Sequence, residues 1–326
     1  MSPKSKGRAR PTGGNRRPTA GPRPGATRPA AKGSQNSGTS ARARLAAEAE
    51  RKARRRRLLT VVVLPVALVL VAVGVLVLVR FTGVGAAKSG PSAVAGDPAV
   101  ISKVTSVPAS VLDQVGVGTA TTPPKAIEAP ALLDGTKPRV LYVGAEYCPY
   151  CAAERWSMVV ALSRFGTFTG LGQTASSASD VFPSTQTLSF HGSSFSSSTV
   201  SFTGVEIQSN EVVNAQYAPL DTLSPEDEKT FSTYNSPPYV DQAGSIPFVD
   251  IGGKYIISGA SFSPEVLQGK SHQQIADALS DPDSDIAKGV NGAANLITAA
   301  ICATTTGAPT AVCTSAGVQA AAQQLG

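Results

Sequence analysis

The residues with the clearest capacity for chemistry are Cys148 and Cys151, which are separated by Pro149 and Tyr150. Thiol–disulfide exchange needs one thiolate that attacks a disulfide and a second thiol that resolves the mixed disulfide. Two cysteines with two residues between them meet both needs when an electropositive environment lowers the pKa of the first. The motif therefore predicts a redox-active pair in which Cys148 attacks and Cys151 resolves.

The flanking residues place this motif at the beginning of a helix. Residues 139–143 form an apolar, β-branched run that is typical of a buried strand, and residues 156–160 carry apolar side chains at helical spacing. The first N–H groups of a helix have no intrahelical partner, and the positive end of the helix dipole stabilises a thiolate there. Pro149 suits the first helical turn because it has no N–H to leave unpaired.

The cysteine pair could also serve as a metal half-site or as a structural bond, and both alternatives stay open. Half of a zinc site would need a second close pair, whereas the remaining cysteines, Cys302 and Cys313, are 11 positions apart in an alanine-rich tail. A purely structural disulfide between Cys148 and Cys151 would close a loop too small to constrain the unfolded chain strongly. We expect neither a metal nor another cofactor.

The N-terminal part of the chain has a strongly uneven charge distribution. Residues 1–57 hold 17 Lys and Arg against 2 Asp and Glu, and the remaining residues hold 12 against 20. Residues 58–79 then follow with 22 positions and no charge, enough for a helix to cross a hydrocarbon core of about 30 Å. By the positive-inside rule, the N-terminus is cytoplasmic and the domain that follows is extracytoplasmic.

Two alternatives to this membrane topology stay open. Small residues at positions 84–86 imitate the cleavage site of a signal peptide. The basic arm also has the composition of a nucleic-acid-binding segment, although we do not expect nucleic acid as a partner. The predicted organisation is a disordered basic cytoplasmic arm (1–57), a transmembrane helix (58–79), an extracytoplasmic linker (80–136) and a folded domain (137–326).

Further elements of the folded domain are predicted from local patterns. Residues 185–190 and 200–207 alternate like two strands of an antiparallel pair. Residues 245–251 and 254–258 are joined by two glycines and predict a β-hairpin. The alanine-rich C-terminal tail predicts two helices that form a hairpin.

The strand, the Cys-Pro-Tyr-Cys motif, the helix and a later Ile246-Pro247 that opens a hairpin together resemble the thioredoxin superfamily. The resemblance implies a cis peptide bond at Pro247, with Ile246 and Pro247 facing the cysteines, and substrate contacts by Tyr147, Pro149 and Tyr150. Cys151 and Pro247 are 96 positions apart, so the resemblance also implies an inserted segment. Tyr147 stands where thioredoxin has tryptophan.

The wider run 144–156 and the tail around residues 301–313 resemble a membrane family called domain of unknown function 929, over residues 137 to the C-terminus. An exported domain keeps structural disulfides readily, so we predict that Cys302 and Cys313 clamp the C-terminal helical hairpin. A second redox pair that passes electrons to the first is the alternative for these two cysteines.

The sequence thus predicts an α/β protein: a thioredoxin-like domain with an inserted segment and a C-terminal helical hairpin, after one transmembrane helix and a disordered basic arm. The expected function is thiol–disulfide exchange with exported protein substrates. The expected partners are those substrates, a redox partner in the membrane or envelope, and the lipid bilayer. A redox-inert thioredoxin-fold module that binds an envelope component is the alternative. Glu146 and Glu154 are expected to be solvated charges, with tuning of the thiolate or proton transfer as the alternative. Trp156 is expected to be a core residue, with a substrate platform as the alternative.

Overall fold

The computed structural model describes residues 93–325, which form a mixed α/β fold. The predicted basic arm, the predicted transmembrane helix and the first part of the predicted linker lie outside these residues. Within residues 93–325 the α-helices are α1 (Pro98–Thr105), α2 (Ala109–Val115), α3 (Pro149–Leu162), α4 (Pro225–Tyr234), α5 (His272–Ala278), α6 (Asp285–Thr304), α7 (Thr310–Cys313) and α8 (Ala316–Ala322). A 3₁₀ helix spans Pro264–Leu267.

The same residues contain thirteen β-strands, most of them short. They are β1 (Val94–Ala95), β2 (Lys125–Ala126), β3 (Leu133–Asp134), β4 (Lys137–Gly144), β5 (Thr167–Thr169), β6 (Gly172–Ala175), β7 (Gln186–Ser189), β8 (Ser194–Ser196), β9 (Ser201–Glu206), β10 (Gln208–Val213), β11 (Gln216–Pro219), β12 (Phe248–Ile251) and β13 (Tyr255–Ser258).

The central sheet is built around β4. On one edge β4 pairs in parallel with β9, and on the other it pairs antiparallel with β12. β12 continues into an antiparallel hairpin with β13, and β2 adds to the outer edge of β13. A parallel pair requires a crossover connection, and here that connection begins with α3. As a result, the end of β4, the beginning of α3 and the beginning of β12 lie next to one another.

Alternating side chains of β4 enter two different cores, as the pleat of a strand requires. Val140 and Tyr142 pack in the larger core with α3 and α6. Leu141 and Val143 pack on the opposite face in a smaller core, against which Phe231 of α4 lies. Helices thus cover both faces of the central sheet.

Helix α6 is the one described helix that is long and apolar enough to cross a membrane by length and composition. Its apolar window is 89% buried within the fold itself, against α3, α2 and α8. Such burial is what the central helix of a folded domain shows, so α6 is a core helix.

The predicted linker over 80–136 is wrong from residue 93 onward. α1 and α2 fold onto the domain and contribute Val100, Val104 and Leu112 to the larger core. The Asn295 side chain on α6 donates hydrogen bonds to the carbonyls of Leu112 and Gly116 at 2.8 and 2.7 Å. Val100 and Val104 are four positions apart and form one buried face of α1, but helices of eight and seven residues carry too few apolar positions to predict what they pack against.

The predicted antiparallel pairing of residues 185–190 with 200–207 is also wrong. Both segments contain strands, but β7 pairs with β6 and β9 pairs in parallel with β4. Alternation identifies a strand and the face it buries, but it does not identify the partner strand. The segment between α3 and β9 contributes to two further small sheets, β1–β6–β7 and β5–β8.

The predicted glycine-linked hairpin is confirmed as β12 and β13, with Gly252 and Gly253 both at positive φ in the turn. The predicted helical tail is present as α6, α7 and α8, and α8 packs back against α6. Cys302 and Cys313 form a disulfide between α6 and α7, with their Cα atoms 5.6 Å apart.

Candidate redox site

Cys148 is the N-cap residue of α3, in an extended conformation with φ −77° and ψ 122°. Its sulfur accepts a hydrogen bond from the backbone N–H of Cys151 at 3.2 Å. Pro149 occupies the first helical turn and is buried. One of the helix's unpaired donors is thus satisfied by the sulfur of Cys148 instead of by a hydroxyl or carboxylate cap.

Both cysteines are free, and both are buried where α3 follows β4. Cys148 is 5% exposed and Cys151 is fully buried. Their apolar neighbours are Ala145, Tyr147, Ile207 and Ile246. Of the two cysteines, Cys148 is therefore the more accessible to solvent.

The Ile246–Pro247 segment lies against the cysteine pair. The peptide bond between these residues is cis, and the sulfur of Cys148 lies 3.7 Å from the carbonyl oxygen of Ile246, within reach of donating its thiol hydrogen. Pro247 is buried and directly precedes β12. The structure thus brings together four residues that the sequence analysis singled out: Cys148, Cys151, Ile246 and Pro247.

The environment separates the pKa values of the two thiols. A hydrogen bond from the Cys151 side chain lowers the pKa of Cys148, aided by the Cys151 backbone N–H and the Arg155 charge, against the opposing effect of burial. Burial raises the pKa of Cys151 well above its usual range, and its hydrogen bond to Cys148 raises it further. Cys148 is therefore the thiol that ionises first, and Cys151 is held as a protonated donor.

A buried ion pair lies directly beneath the cysteines. Arg155 donates from Nε and Nη2 to the two carboxylate oxygens of Glu206, both at 2.7 Å, and from Nη2 to the carbonyl of Ala145 at 2.6 Å. Neither side chain of the pair is exposed. Arg155 follows Cys151 by four positions on α3, so both occupy one face of the helix. Neither Arg155 nor Glu206 was predicted as a site residue from the sequence; for Arg155, its spacing of four positions from Cys151 was the available signal.

The prediction that Glu146 and Glu154 are solvated is wrong, because both are fully buried. Burial raises the pKa of Glu146, whose carboxylate accepts a hydrogen bond from the Ser189 hydroxyl at 2.6 Å. Burial also raises the pKa of Glu154, from 4.5 to about 7, against two hydrogen bonds from the N–H and hydroxyl of Ser261 at 2.8 and 3.0 Å. Trp156 is a core residue, as predicted.

The two tyrosines of the motif have different surroundings. Tyr147 is half-buried and stacks on Tyr217 with 4.0 Å between ring centroids. Tyr150 is 41% exposed and meets Phe182 edge-to-face at 5.8 Å. Of the two, Tyr150 offers the more accessible surface for a contact with another molecule.

The Cys302–Cys313 disulfide lies at the other end of β12 from Pro247. The end of α6 contacts the β12–β13 turn there, where Lys254 donates to the carbonyl of Ala303 at 3.5 Å. The structure therefore does not bring the two cysteine pairs together. Within the described part of the chain, no group of three or more His, Cys, Asp or Glu side chains is arranged to hold a metal ion.

The fold and the site define a mixed α/β protein with a pair of free cysteines at a helix N-terminus. The chain belongs to the family described as domain of unknown function (DUF929), which matches residues 126–225 and 209–303 and so more than half of the chain. No curated protein and no solved structure matches the chain significantly.

Proposed function

We propose that this protein is a membrane-anchored thiol–disulfide oxidoreductase that exchanges disulfides with exported protein substrates through Cys148 and Cys151. The observation that carries the proposal is the sulfur of Cys148 at the N-terminus of α3, hydrogen-bonded by the N–H of Cys151. That contact favours the thiolate form, and the thiolate is the species that attacks a disulfide.

We include in this proposal that the domain has a thioredoxin-like fold. Three features support it. The parallel strands β4 and β9 and the crossover that begins with α3 form a βαβ unit, and a Cys-x-x-Cys motif beside such a unit is typical of thioredoxin-like redox domains. The hairpin β12–β13 lies on the other edge of β4. The carbonyl of Ile246, next to Pro247, lies against the attacking sulfur.

The exchange proceeds in two balanced steps. The Cys148 thiolate attacks one sulfur of a substrate disulfide, forming a mixed disulfide and releasing the other substrate sulfur as a thiolate. Cys151 then loses its proton and attacks the sulfur of Cys148, which releases the second substrate thiolate and leaves a Cys148–Cys151 disulfide. Two electrons pass to the substrate. The reverse sequence oxidises a substrate dithiol, and the reduction potential of the pair sets the direction.

The buried charges beneath the site fit both steps. The charge of the Arg155 guanidinium adds to the lowering of the Cys148 pKa and partly offsets the rise that burial causes in the Cys151 pKa, so it favours a thiolate on either sulfur. Its bidentate bonds to Glu206 fix its position. The network therefore keeps the guanidinium in one position while the negative charge passes from one sulfur to the other.

Anchoring and location rest on the N-terminal sequence. The uncharged run 58–79 is long enough to span a bilayer, and the basic residues before it favour a redox domain outside the cytoplasm. A disulfide between Cys302 and Cys313 agrees with an oxidising compartment. A redox partner in the membrane or envelope would restore the cysteine pair after each cycle.

Trapping of the mixed disulfide tests the proposal. In a Cys151→Ser variant of the full chain, the resolving step is lost, so exported proteins stay linked to Cys148 and appear as reductant-sensitive adducts on non-reducing gels. The matched Cys148→Ser variant keeps one thiol but is expected to capture none. If the Cys151→Ser chain reaches the membrane and captures no protein, the redox-inert binding module is the better account.

A further inference from the structure

A cleft opens beside the first turn of α3, on the side of Tyr150. Its volume is about 480 Å³, and its lining includes Tyr150, Phe182, Ala260, Phe262, Val266 and Asp285. The lining comes from α3, from the loop before β7, from the segment between α2 and β2, and from the segment after β13 with the beginning of α6. Five of these six side chains are aromatic or aliphatic, and the rest of the lining is Thr119, Thr121, Ser263 and Pro264.

A buried carboxylate, that of Glu154, fixes the backbone at the base of this cleft. Glu154 follows Tyr150 by four positions, so both lie on one face of α3. Glu154 accepts hydrogen bonds from the backbone and the hydroxyl of Ser261, which stands between two lining residues, Ala260 and Phe262. Phe262 itself is almost fully buried. The cleft is therefore a pre-formed depression with a fixed base.

The chemistry of disulfide exchange brings another polypeptide to this cleft. A substrate cysteine that forms a bond with the sulfur of Cys148 places its own neighbours on the surface around that sulfur. An extended chain advances about 3.3 Å per residue, and Tyr150 is two positions from Cys148. Substrate residues two to four positions from the cysteine, about 7 to 13 Å along an extended chain, are therefore the ones with the reach to enter the cleft.

We propose that this cleft, between Tyr150, Phe182 and Val266, binds an apolar side chain of the substrate and so selects cysteines that have a leucine or phenylalanine nearby. This inference rests on the proposed exchange function. The exposed ring of Tyr150 and the half-buried ring of Phe182 form one wall, and Phe262 forms the base. Filling the cleft with an apolar side chain removes these rings from water, which stabilises the mixed disulfide.

Two ten-residue peptides test the selection. Each contains one cysteine and is prepared as its disulfide-linked dimer with a self-quenched fluorophore; one has leucine three positions from the cysteine, and the other has serine there. The reduced full-length protein is mixed with each dimer, and the second-order rate of fluorescence recovery is measured. We expect the leucine peptide to react about tenfold faster, since burial of one leucine is worth roughly that factor.

The variants localise the effect. Phe182→Ala is expected to lower the ratio of the leucine-peptide rate to the serine-peptide rate to about one. Val266→Asp is also expected to lower this ratio, because it places a charge in the cleft. Phe195→Ala removes a half-buried phenylalanine on β8, outside the cleft, and is expected to keep the tenfold ratio. Thermal unfolding of each variant shows whether it is folded.

The outcomes separate this inference from the function on which it rests. A ratio near one in the unmodified protein, or a tenfold ratio that survives both cleft variants, overturns the cleft while the exchange function stands. If the reduced protein reduces neither peptide dimer, and the protein with a Cys148–Cys151 disulfide oxidises neither reduced peptide, both the cleft and the exchange function are overturned.

Discussion

Three residues at the beginning of α3 together favour the thiolate form of Cys148. Cys148 holds the sulfur at the helix N-terminus, Cys151 donates to it from its backbone and side chain, and Arg155 supplies a buried positive charge. The charge is fixed by Glu206, which is equally buried. A buried pair of this kind stabilises the fold only while both partners remain, because either charge alone is costly in the interior.

Removal of one partner therefore has a large effect on stability. Arg155→Met is expected to lower the free energy of unfolding by about 3–5 kcal/mol, because it leaves the Glu206 carboxylate buried without a counter-charge. The double variant Arg155→Met/Glu206→Met is expected to recover most of that loss. Urea unfolding measures both.

An exposed ion pair provides the control. Lys103 pairs with Asp277 on the surface, and Lys103→Met is expected to change stability far less than Arg155→Met does. The interpretation of the buried pair is wrong if the double variant is as unstable as Arg155→Met alone.

Glu154 makes the stability of the domain depend on pH. Burial raises its pKa from 4.5 to about 7, so the folded state binds the proton more tightly than the unfolded state does. The free energy of unfolding then falls as pH rises through this interval, and the loss is complete above it. The free energy of unfolding lost between these two pKa values is about 3 kcal/mol.

Glu154→Gln removes this titration. Its free energy of unfolding, relative to that of the unmodified protein, is expected to rise by about 3 kcal/mol between about pH 4 and about pH 8. Chemical unfolding at a series of pH values measures the difference, and parallel curves for the two proteins would contradict the assignment.

At the scale of elements, α3 explains why some site residues were predictable and others were not. The cysteine spacing, the preceding strand and the apolar positions after the motif identified the beginning of α3 from sequence. Every residue of α3 except Tyr150 is buried, including Glu154 and Arg155. Charged side chains normally mark the solvent face of a helix, so their burial depends on partners such as Ser261 and Glu206 that are distant in sequence.

The same limit applies to strand pairing and to the N-terminal helices. The hairpin β12–β13 was predicted because two glycines make its turn local. The parallel pairing of β9 with β4 and the packing of α1 and α2 were missed, because each is decided by contacts across a long stretch of chain. Local patterns determine element type more reliably than they determine the partner.

The disulfide between Cys302 and Cys313 links the end of α6 to α7. In the double variant Cys302→Ala/Cys313→Ala, the free energy of unfolding is expected to fall by about 3 kcal/mol, because the bond closes a short loop in the unfolded chain. Thermal unfolding in oxidising buffer measures the change. Addition of a reductant should bring the unmodified protein to the same value; equal stability of the double variant and the oxidised protein would contradict the clamp.

At the scale of the whole molecule, the distribution of charge suits a protein divided by a bilayer. Residues 1–57 are strongly basic, whereas residues 80–326 contain more acidic than basic side chains, and an uncharged run lies between them. The proposed orientation puts the domain that carries Cys148 and Cys151 in a compartment where proteins keep disulfides.

Site-specific labelling tests this orientation. In a Cys148→Ser/Cys151→Ser background, Lys270→Cys introduces a thiol at an exposed position of the folded domain. A membrane-impermeant maleimide is expected to label it in intact cells, whereas Ser40→Cys should react only after permeabilisation. The opposite pattern, or release of the domain into the medium, would contradict the proposed anchoring.

The acidity of the Cys148 thiol tests the central claim most directly. The rate of iodoacetamide alkylation at Cys148 is measured against pH in the reduced full-length protein, with mass spectrometry to distinguish it from Cys151. We predict that Cys148 ionises below about 8.5, the value for a free cysteine, and ahead of Cys151. A Cys148 that ionises at or above the free value, or after Cys151, would contradict the proposed redox function.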